Sequence, residues 1–464
     1  MDRIIRYVQI TALAVLFILC APRNIFSEES PGTAIPSSAA PVLTIKDSIG
    51  IALLNNKNIQ IQEEEIEYAR ANILDAKSNF LPTVTPSFGY TLSGAVPDSD
   101  PVPGLRKDSR IFFGYKNQNT LGISAQETIF NGGADIANLN QARVNLRSQE
   151  ETLRATRLEV EFEVKRLFYG LLLAYETQRI AMELVGQAQA HYEETKQKYD
   201  QGTASKFDVL QSKVQVSRLI PQLINANNAI ELLKAEFKQA LFLDMKEDIK
   251  ISGKLKHKEI EVKEDDFLKE AYSGNPQMIL KLLGIDMQKW AIEFAKAGWM
   301  PQVSANASYN FTSDNLNNMV NPTHDNWNVG VKVSIAIFDG FATKAKVDEA
   351  KARYNQARFQ KENIVEQLAV DVKNACLNLG EAKAIIEAER DSVFEAKEAL
   401  RLSEVRFNNG VGINLDVLDS QVALAQVEQL LAQGIYDYIM AKAELDRTMG
   451  REFAREASYY EDKD

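Results

Sequence analysis

The chain has 464 residues, a formal net charge of −11, 25% charged residues and two cysteines. That length allows two or three ordinary domains or one elongated body. The acidic balance argues against a nucleic-acid backbone as partner, because phosphates select for an excess of Lys and Arg.

Arg3 and Arg6 precede an apolar run from Val8 to Leu19, followed by small and polar residues. This is a signal-peptide pattern over residues 1–27, with cleavage near Ala21 or after Ser27; the competing reading is an N-terminal anchor helix. Cys20 raises lipidation, but a lipobox has a small residue before the cysteine and Leu19 stands there. If Cys20 is removed, only Cys376 remains, so the mature chain forms no internal disulfide and relies on packing. Export without a further long apolar run leaves the periplasm, the exterior, or an outer membrane crossed by strands.

The body reads as one large unit used twice, over residues 43–242 and 267–450. A charged linker covers 243–266 and a polar tail 451–464. Phe130-Asn131-Gly132 answers Phe338-Asp339-Gly340, Tyr199-Asp200-Gln201-Gly202 answers Phe407-Asn408-Asn409-Gly410, and Phe207-Asp208-Val209-Leu210 answers Leu415-Asp416-Val417-Leu418, all at one offset. One large duplication, rather than an array of short repeats, follows. Each half predicts a helix (Ile59–Asn79, Met278–Gly298), a proline that ends it, two strands, a Gly-containing corner, a very long helix and a returning helix. The linker is dense in Lys, Glu and Asp and leads to a short helix near Phe267–Ser273.

The strands are expected at Thr83–Ser93, Asn119–Phe130, Val303–Thr312 and Trp327–Phe338. In the last, Trp327, Val329, Val331, Val333, Ile335 and Ile337 alternate with Asn328, Gly330, Lys332, Ser334 and Ala336. That two-residue period marks a sheet with one apolar face. The first pair alternates less cleanly, and Pro86 is expected to interrupt it. Each segment is long enough to cross a bilayer as a tilted strand, with Trp327, Phe338 and Phe130 as membrane-interface aromatics. A soluble sandwich is the alternative. Four strands cannot close a barrel and open edges are not tolerated in lipid, so several copies must share one; three copies make twelve strands. The fold class is therefore mixed: a trimer-built membrane β-barrel on a long, internally duplicated α-helical coiled coil.

The long helices carry the coiled-coil signal. Val365, Val372, Leu379, Ile386, Val393, Leu400 and Phe407 recur every seven residues, beside a mostly small companion seam, Leu368, Ala375, Ala382, Glu389, Ala396 and Ser403. Val164, Leu171, Val185, Tyr192 and Tyr199 are the first-half equivalents, with Arg157 and Gln178 as breaks. Pro221 is expected to bend the first returning helix or break its ladder locally. His191, His257 and His324 lie in no zinc spacing, and no P-loop, GxSxG or dinucleotide fingerprint occurs. No enzyme activity, cofactor or metal is expected.

The duplicated strand–strand–helix order, the helix-to-strand prolines, the Phe-Asx-Gly corners and the tip Phe407-Asn408-Asn409-Gly410-Val411-Gly412-Ile413-Asn414-Leu415-Asp416 together resemble the TolC-like outer-membrane efflux proteins. The resemblance implies a homotrimer in outer-membrane lipid, a periplasmic helical tunnel, and docking to a periplasmic adaptor and an inner-membrane transporter. It implies a gate in which Asp416 and Asp419 form a cation-sensitive ring, with Asp208 as the first-half counterpart, where Gln211 replaces the second acid. It also implies that Gly202, Thr203, Ala204, Gly410 and Val411 meet the adaptor. Without it, Asp416 and Asp419 read as helix-start acids favoured by the dipole, on nearly one face. Family members lock the tip with a tyrosine and an arginine; Phe407 and Gly412 stand there, so the closed state must be held differently. Efflux and type I secretion both remain open, and a soluble periplasmic scaffold or adaptor is the rival class.

Overall fold

The computed structural model describes residues 42–92, 117–313 and 325–452. The expected signal peptide with Cys20, His324, Ser93 and the tail beyond residue 452 lie outside the described residues. The helices are Ile45–Asn55 (α1), Lys57–Ser78 (α2), Ala134–Asp200 (α3), Lys206–Leu241 (α4), Glu264–Gly274 (α5), Pro276–Lys296 (α6), Ala342–Asn408 (α7) and Asn414–Met449 (α8). The strands are Val42–Leu43 (β1), Thr83–Leu92 (β2), Asn117–Asn131 (β3), Lys250–Ile251 (β4), Gln302–Ser313 (β5) and Asp325–Ser334 (β6). The order helix, helix, strand, strand, long helix, returning helix therefore occurs twice.

Local chemistry explains the boundaries. Thr44 and Asp47 form a capping box at α1, each side chain accepting from the other's main-chain N–H at 3.2 Å. Asn56 starts α2, and Asn275 starts α6 with Pro276 at its first position. Pro tolerates that place because its missing N–H has no helical acceptor there. The Phe-Asx-Gly corners are helix starts: Asn131 Oδ1 accepts from Asp135 N at 3.2 Å, and Asp339 Oδ2 from Thr343 N at 2.7 Å. The two long helices have 67 residues each, about 100 Å at 1.5 Å per residue.

The four long strands form one antiparallel sheet in the order β2-β3-β5-β6. Its register places Phe88 opposite Leu121, Pro86 opposite Ile123, Ile123 opposite Tyr309 and Tyr309 opposite Trp327. Directly opposed residues share a face, so the apolar sets of all four strands join into one continuous face. The other face carries Ser, Thr, Asn, Gln and Gly, with Lys332 as its one cation among the described residues.

Several expectations are corrected. Pro86 does not interrupt β2, which runs from Thr83 to Leu92 with Pro86 opposite Ile123; β2 is an edge strand within the chain, the position in a sheet where Pro is tolerated. The last strand stops at Ser334 rather than Phe338, because Ser334 pairs with Gln302 and β5 has no residue left beyond it, Pro301 being unable to donate. Pro221 lies inside α4, which continues on both sides of it, so it does not divide the returning helix although it cannot donate to the ladder. The short helix begins at Glu264, since Glu264, Asp265 and Asp266 suit the positive helix start. Within the linker, β4 pairs with β1 in parallel, and the segment after it is fastened by Lys383–Glu259 at 2.8 Å and by Ile260 N donating to Tyr438 Oη at 3.0 Å.

The core lies along the helical body. One cluster gathers Ile49, Ile59, Val164, Leu167, Phe168, Phe237 and Leu241; a second gathers Val372, Cys376, Leu379, Ile386, Tyr438, Leu445 and Met449. The second-half heptad is therefore the packed seam. In α3 the seam shifts near its end: Leu184, Ala188, His191 and Thr195 are buried, while Tyr199 is exposed and Val185 and Tyr192 are only partly covered. The 3.6-residue turn drifts against a strict seven-residue step over so long a helix. Arg154 ties the halves together, donating to Gly274 O and Gly450 O at 2.9 and 2.8 Å, a cation across two helix ends.

Candidate functional site

Two regions present unusual surfaces: the sheet and the helical tips. On the sheet, Trp327 is 73% exposed and Val329 72%, and Val84, Phe88, Tyr90, Ile123, Val331 and Val333 are exposed beside them. An apolar face spread over four strands, with Glu127 within it and Asn119 and Asp325 at its margin, is far larger than the scattered exposed residues of an ordinary soluble surface. Trp327 lies at one end of this sheet and Phe130 at the other. Phe338 lies beyond the strand, its ring against Phe341 with centroids 5.6 Å apart. No helix among the described residues is long and apolar enough to cross a membrane.

At each tip a helix ends in a glycine with positive φ, Gly202 at +77° and Gly410 at +72°. Both close with the same pair of bonds. Thr203 N donates to Lys198 O at 2.8 Å and Gly202 N to Tyr199 O at 2.8 Å; Val411 N donates to Arg406 O at 3.0 Å and Gly410 N to Phe407 O at 3.1 Å. This is the αL ending that satisfies the last carbonyls. Thr203 and Val411 stand exposed at the two turns.

The returning helices then differ. Ser205 and Asp208 form a capping box: Asp208 Oδ2 accepts from Ser205 Oγ at 2.6 Å and from its N–H at 3.1 Å. The Asp208 carboxylate is thus engaged in its own helix start. At the second tip the capping residue is Ile413, which has no side-chain acceptor. Asp416 occupies the place of Asp208, without that partner. Asp416 and Asp419 are both exposed, three residues apart on one face of α8.

One of the contacts joining the tips is made by a residue pair absent from the expected set. His191, on α3, is 5% exposed, and its Nε2 lies 2.7 Å from Asn414 Oδ1 at the first position of α8. Ser212 Oγ donates to the same oxygen at 3.1 Å, while Asn414 Nδ2 donates to Gln211 Oε1 at 3.0 Å and to Asp208 O at 3.4 Å. With the Asn414 nitrogen donating, Nε2 of His191 must be the donor to Oδ1. Burial pushes the imidazole below the usual histidine value, outweighing the upward pull of Asn414, Glu194 and Glu404; Lys198 adds to the downward push.

Phe407 completes the contact. Its ring lies 4.9 Å from that of His191, and Lys198 Nζ sits 4.0 Å above it while also donating to Asn408 Oδ1 at 2.7 Å. Gly412 packs so closely that a Cβ would meet Phe407 N at 2.9 Å and Arg406 Cβ at 3.0 Å. An arginine has no room there, and Phe407 acts through its ring instead of a hydroxyl. The readable signal for His191 was its place in the run Leu184, Ala188, His191, Thr195, a polar residue on a packed seam. Its partner lies 223 residues away. The other described residues singled out earlier carry no site: His257 stacks on Tyr438, and Cys376 is buried in the core, which pushes its thiol upward.

A model of the family described as outer membrane efflux protein matches residues 48–241 and 267–451. The outer membrane protein TolC of Vibrio cholerae is 20% identical over 389 residues, covering 82% of this chain and 84% of that protein. The alkaline protease secretion protein AprF of Pseudomonas aeruginosa is 20% identical over 406 residues, covering 87% and 83%. Among solved structures, the outer membrane protein VceC from Vibrio cholerae superposes with a TM-score of 0.76 at 17% identity, covering 88% of this chain and 96% of that one. The two segments matched by the family model fall on the two halves of the duplication, and the chain belongs to the outer membrane efflux protein family.

Proposed function

We propose that three copies of this chain close a single twelve-stranded barrel in the outer membrane, and that the helices continue it as a tunnel across the periplasm. A periplasmic adaptor would dock at the tips, around Gly202, Thr203, Gly410 and Val411, and an inner-membrane transporter would deliver the cargo. The observation that carries this reading is the sheet. Its apolar face is exposed, its edges β2 and β6 have no partner within the described residues, and four strands cannot close on themselves. In lipid every edge must be paired, so neighbouring copies must supply the missing ladders. The duct does no chemistry and consumes no fuel; gating is a movement of helices.

Asp416 and Asp419 from three copies would ring the entrance. Like charges around one narrow axis repel, and bound cations relieve that repulsion. The relatives include both a secretion protein and the cation efflux protein CusC of Escherichia coli, so cargo is set by the partners. The test is conductance of purified protein in planar bilayers, with divalent cations titrated from the helical side. Cation block that disappears in Asp416→Ala/Asp419→Ala supports both the duct and the acidic entrance. Unblocked conductance keeps the duct and removes the ring. Protein that stays soluble without detergent and forms no channel overturns the reading.

A further inference from the structure

We infer that His191 is a positioning residue for the entrance: through Asn414 it pins the start of α8, and so the spacing of the two tips, and it lets go when protonated. The inference rests on the duct reading above and adds to it what holds the gate-bearing helix in place.

Asn414 is the first residue of α8, two residues before Asp416 and five before Asp419. Its side chain does not cap its own helix. It reaches across to α3 and α4, where all its polar contacts are made. No other side-chain hydrogen bond joins α8 to that hairpin at the tip among those described. The pair is buried, so losing Asn414 would leave the His191 Nε2–H unsatisfied away from water, while Asn414 Oδ1 without His191 would keep only Ser212.

The surroundings make the contact sensitive to proton concentration. On α3 the charged groups that face His191 are Glu194 and Lys198; α7 presents Glu404. From α4 come the neutral Ser212 and Gln211 together with the main-chain carbonyl of Asp208, whose carboxylate is bound to Ser205; α8 presents neutral Asn414. Lys198 is itself bridged to Glu194 at 3.1 Å, which offsets much of what Glu194 could offer a cation. No carboxylate is hydrogen-bonded to the ring, so a second proton would create a buried charge that Glu194 and Glu404 reach only through space, which does not outweigh its desolvation.

The sign follows from linkage. The pinned state holds the imidazole below its ordinary value of about 6.5, so it binds fewer protons than the released state. The pin is complete above about pH 6.5 and weakens as pH falls below that, by up to about tenfold per pH unit for each copy until the pinned-state value is reached.

The test places spin labels at Thr203 and Val411 of the full-length assembly and follows their separation from pH 7.5 to pH 5. The wild type should shift to longer, broader distances below about pH 6.5. His191→Phe, which keeps the ring packing against Phe407 and cannot titrate, should give one distribution at every pH. Asn414→Leu should give the long distribution throughout. Asp416→Asn/Asp419→Asn should keep the pH step, which separates His191 from the acids. A pH step that survives His191→Phe, or a wild-type distance that never moves, overturns the inference. Conductance of the same preparations separates the two readings: channels without a tip transition discard the pin and keep the duct, while absence of channels discards the duct itself.

Discussion

The sheet makes a sharp prediction because neighbouring residues on β6 face opposite ways. Val329 lies opposite Ala307 on the apolar face, and Asn328 lies opposite Ser308 on the polar one. The strand has ten residues. At about 3.3 Å per residue and a tilt of about 45° it spans roughly 23 Å, close to the apolar band of an outer-membrane barrel. Val329, its fifth residue, therefore sits near the bilayer midplane. Arginine facing lipid at that depth costs about 2–4 kcal/mol, or about 6–12 kcal/mol for three copies in one barrel. Asn328→Arg faces the lumen and loses only the exposed bond in which Asn328 Oδ1 accepts from Asn306 at 3.2 Å, less than about 1 kcal/mol. Urea titration of folding into lipid vesicles, read by a heat-modifiable gel shift, should show a large loss for Val329→Arg and almost none for Asn328→Arg. Equal effects would refute the assignment of faces, and a register shift of one residue would invert them.

Two further outcomes are expected. Gly412→Ala forces its Cβ onto the main chain of Phe407, which should cost about 1–3 kcal/mol locally and loosen the Lys198–Phe407 contact; faster proteolysis at residues 203–205 measures it, and an unchanged rate would remove the close-approach argument. Lys442 and Asp446 are 4% and 2% exposed and meet at 2.6 Å, with Arg451 Nη1 3.6 Å from Asp446 Oδ1, so Asp446→Leu alone should destabilise by about 3–5 kcal/mol, whereas Lys442→Met/Asp446→Leu should recover part of the melting temperature, Arg451 keeping its bridge to Glu270.

Much of the fold was legible because it is written in short-range patterns. The alternation Trp327, Val329, Val331, Val333 marked a strand, and its register against β5 then followed the same parity. The Gly202 and Gly410 turns and the Phe-Asx-Gly corners were visible as local backbone chemistry. What was missed depends on partners far along the chain. The end of β6 is set by where β5 runs out, not by its own apolar residues, which continue to Ile337. Helix α1 is short and weakly patterned, although Thr44 and Asp47 and the later Asn275-Pro276 pair were readable helix starts. The seam position of His191 was readable, but its pairing with Asn414 was not, since the contact exists only once the two hairpins lie together.

The duplication gives two copies of one tip, and they differ in how the aspartate at the start of the returning helix is held. In the first copy the serine at the cap engages the aspartate three residues on, so the carboxylate completes the helix start. In the second copy the cap is Ile413, with almost the same backbone angles, φ −100° and ψ 152° against −84° and 154° for Ser205. The acid is thereby released, while the next residue, Asn414, is held by the other hairpin. Ile413→Ser should reverse this step. Ile413 is exposed and its backbone already suits the capping role, so the change should stabilise the start of α8 by about 0.5–2 kcal/mol. The same change should draw the Asp416 carboxylate back toward its own main chain and weaken divalent block of the channel severalfold, with Asp419 left as the remaining acid. Thermal stability and cation titration on one preparation read both effects. A variant that becomes more stable while its cation block is unchanged would mean that Asp416 is not a cation ligand, and the release of this carboxylate would then have no part in gating.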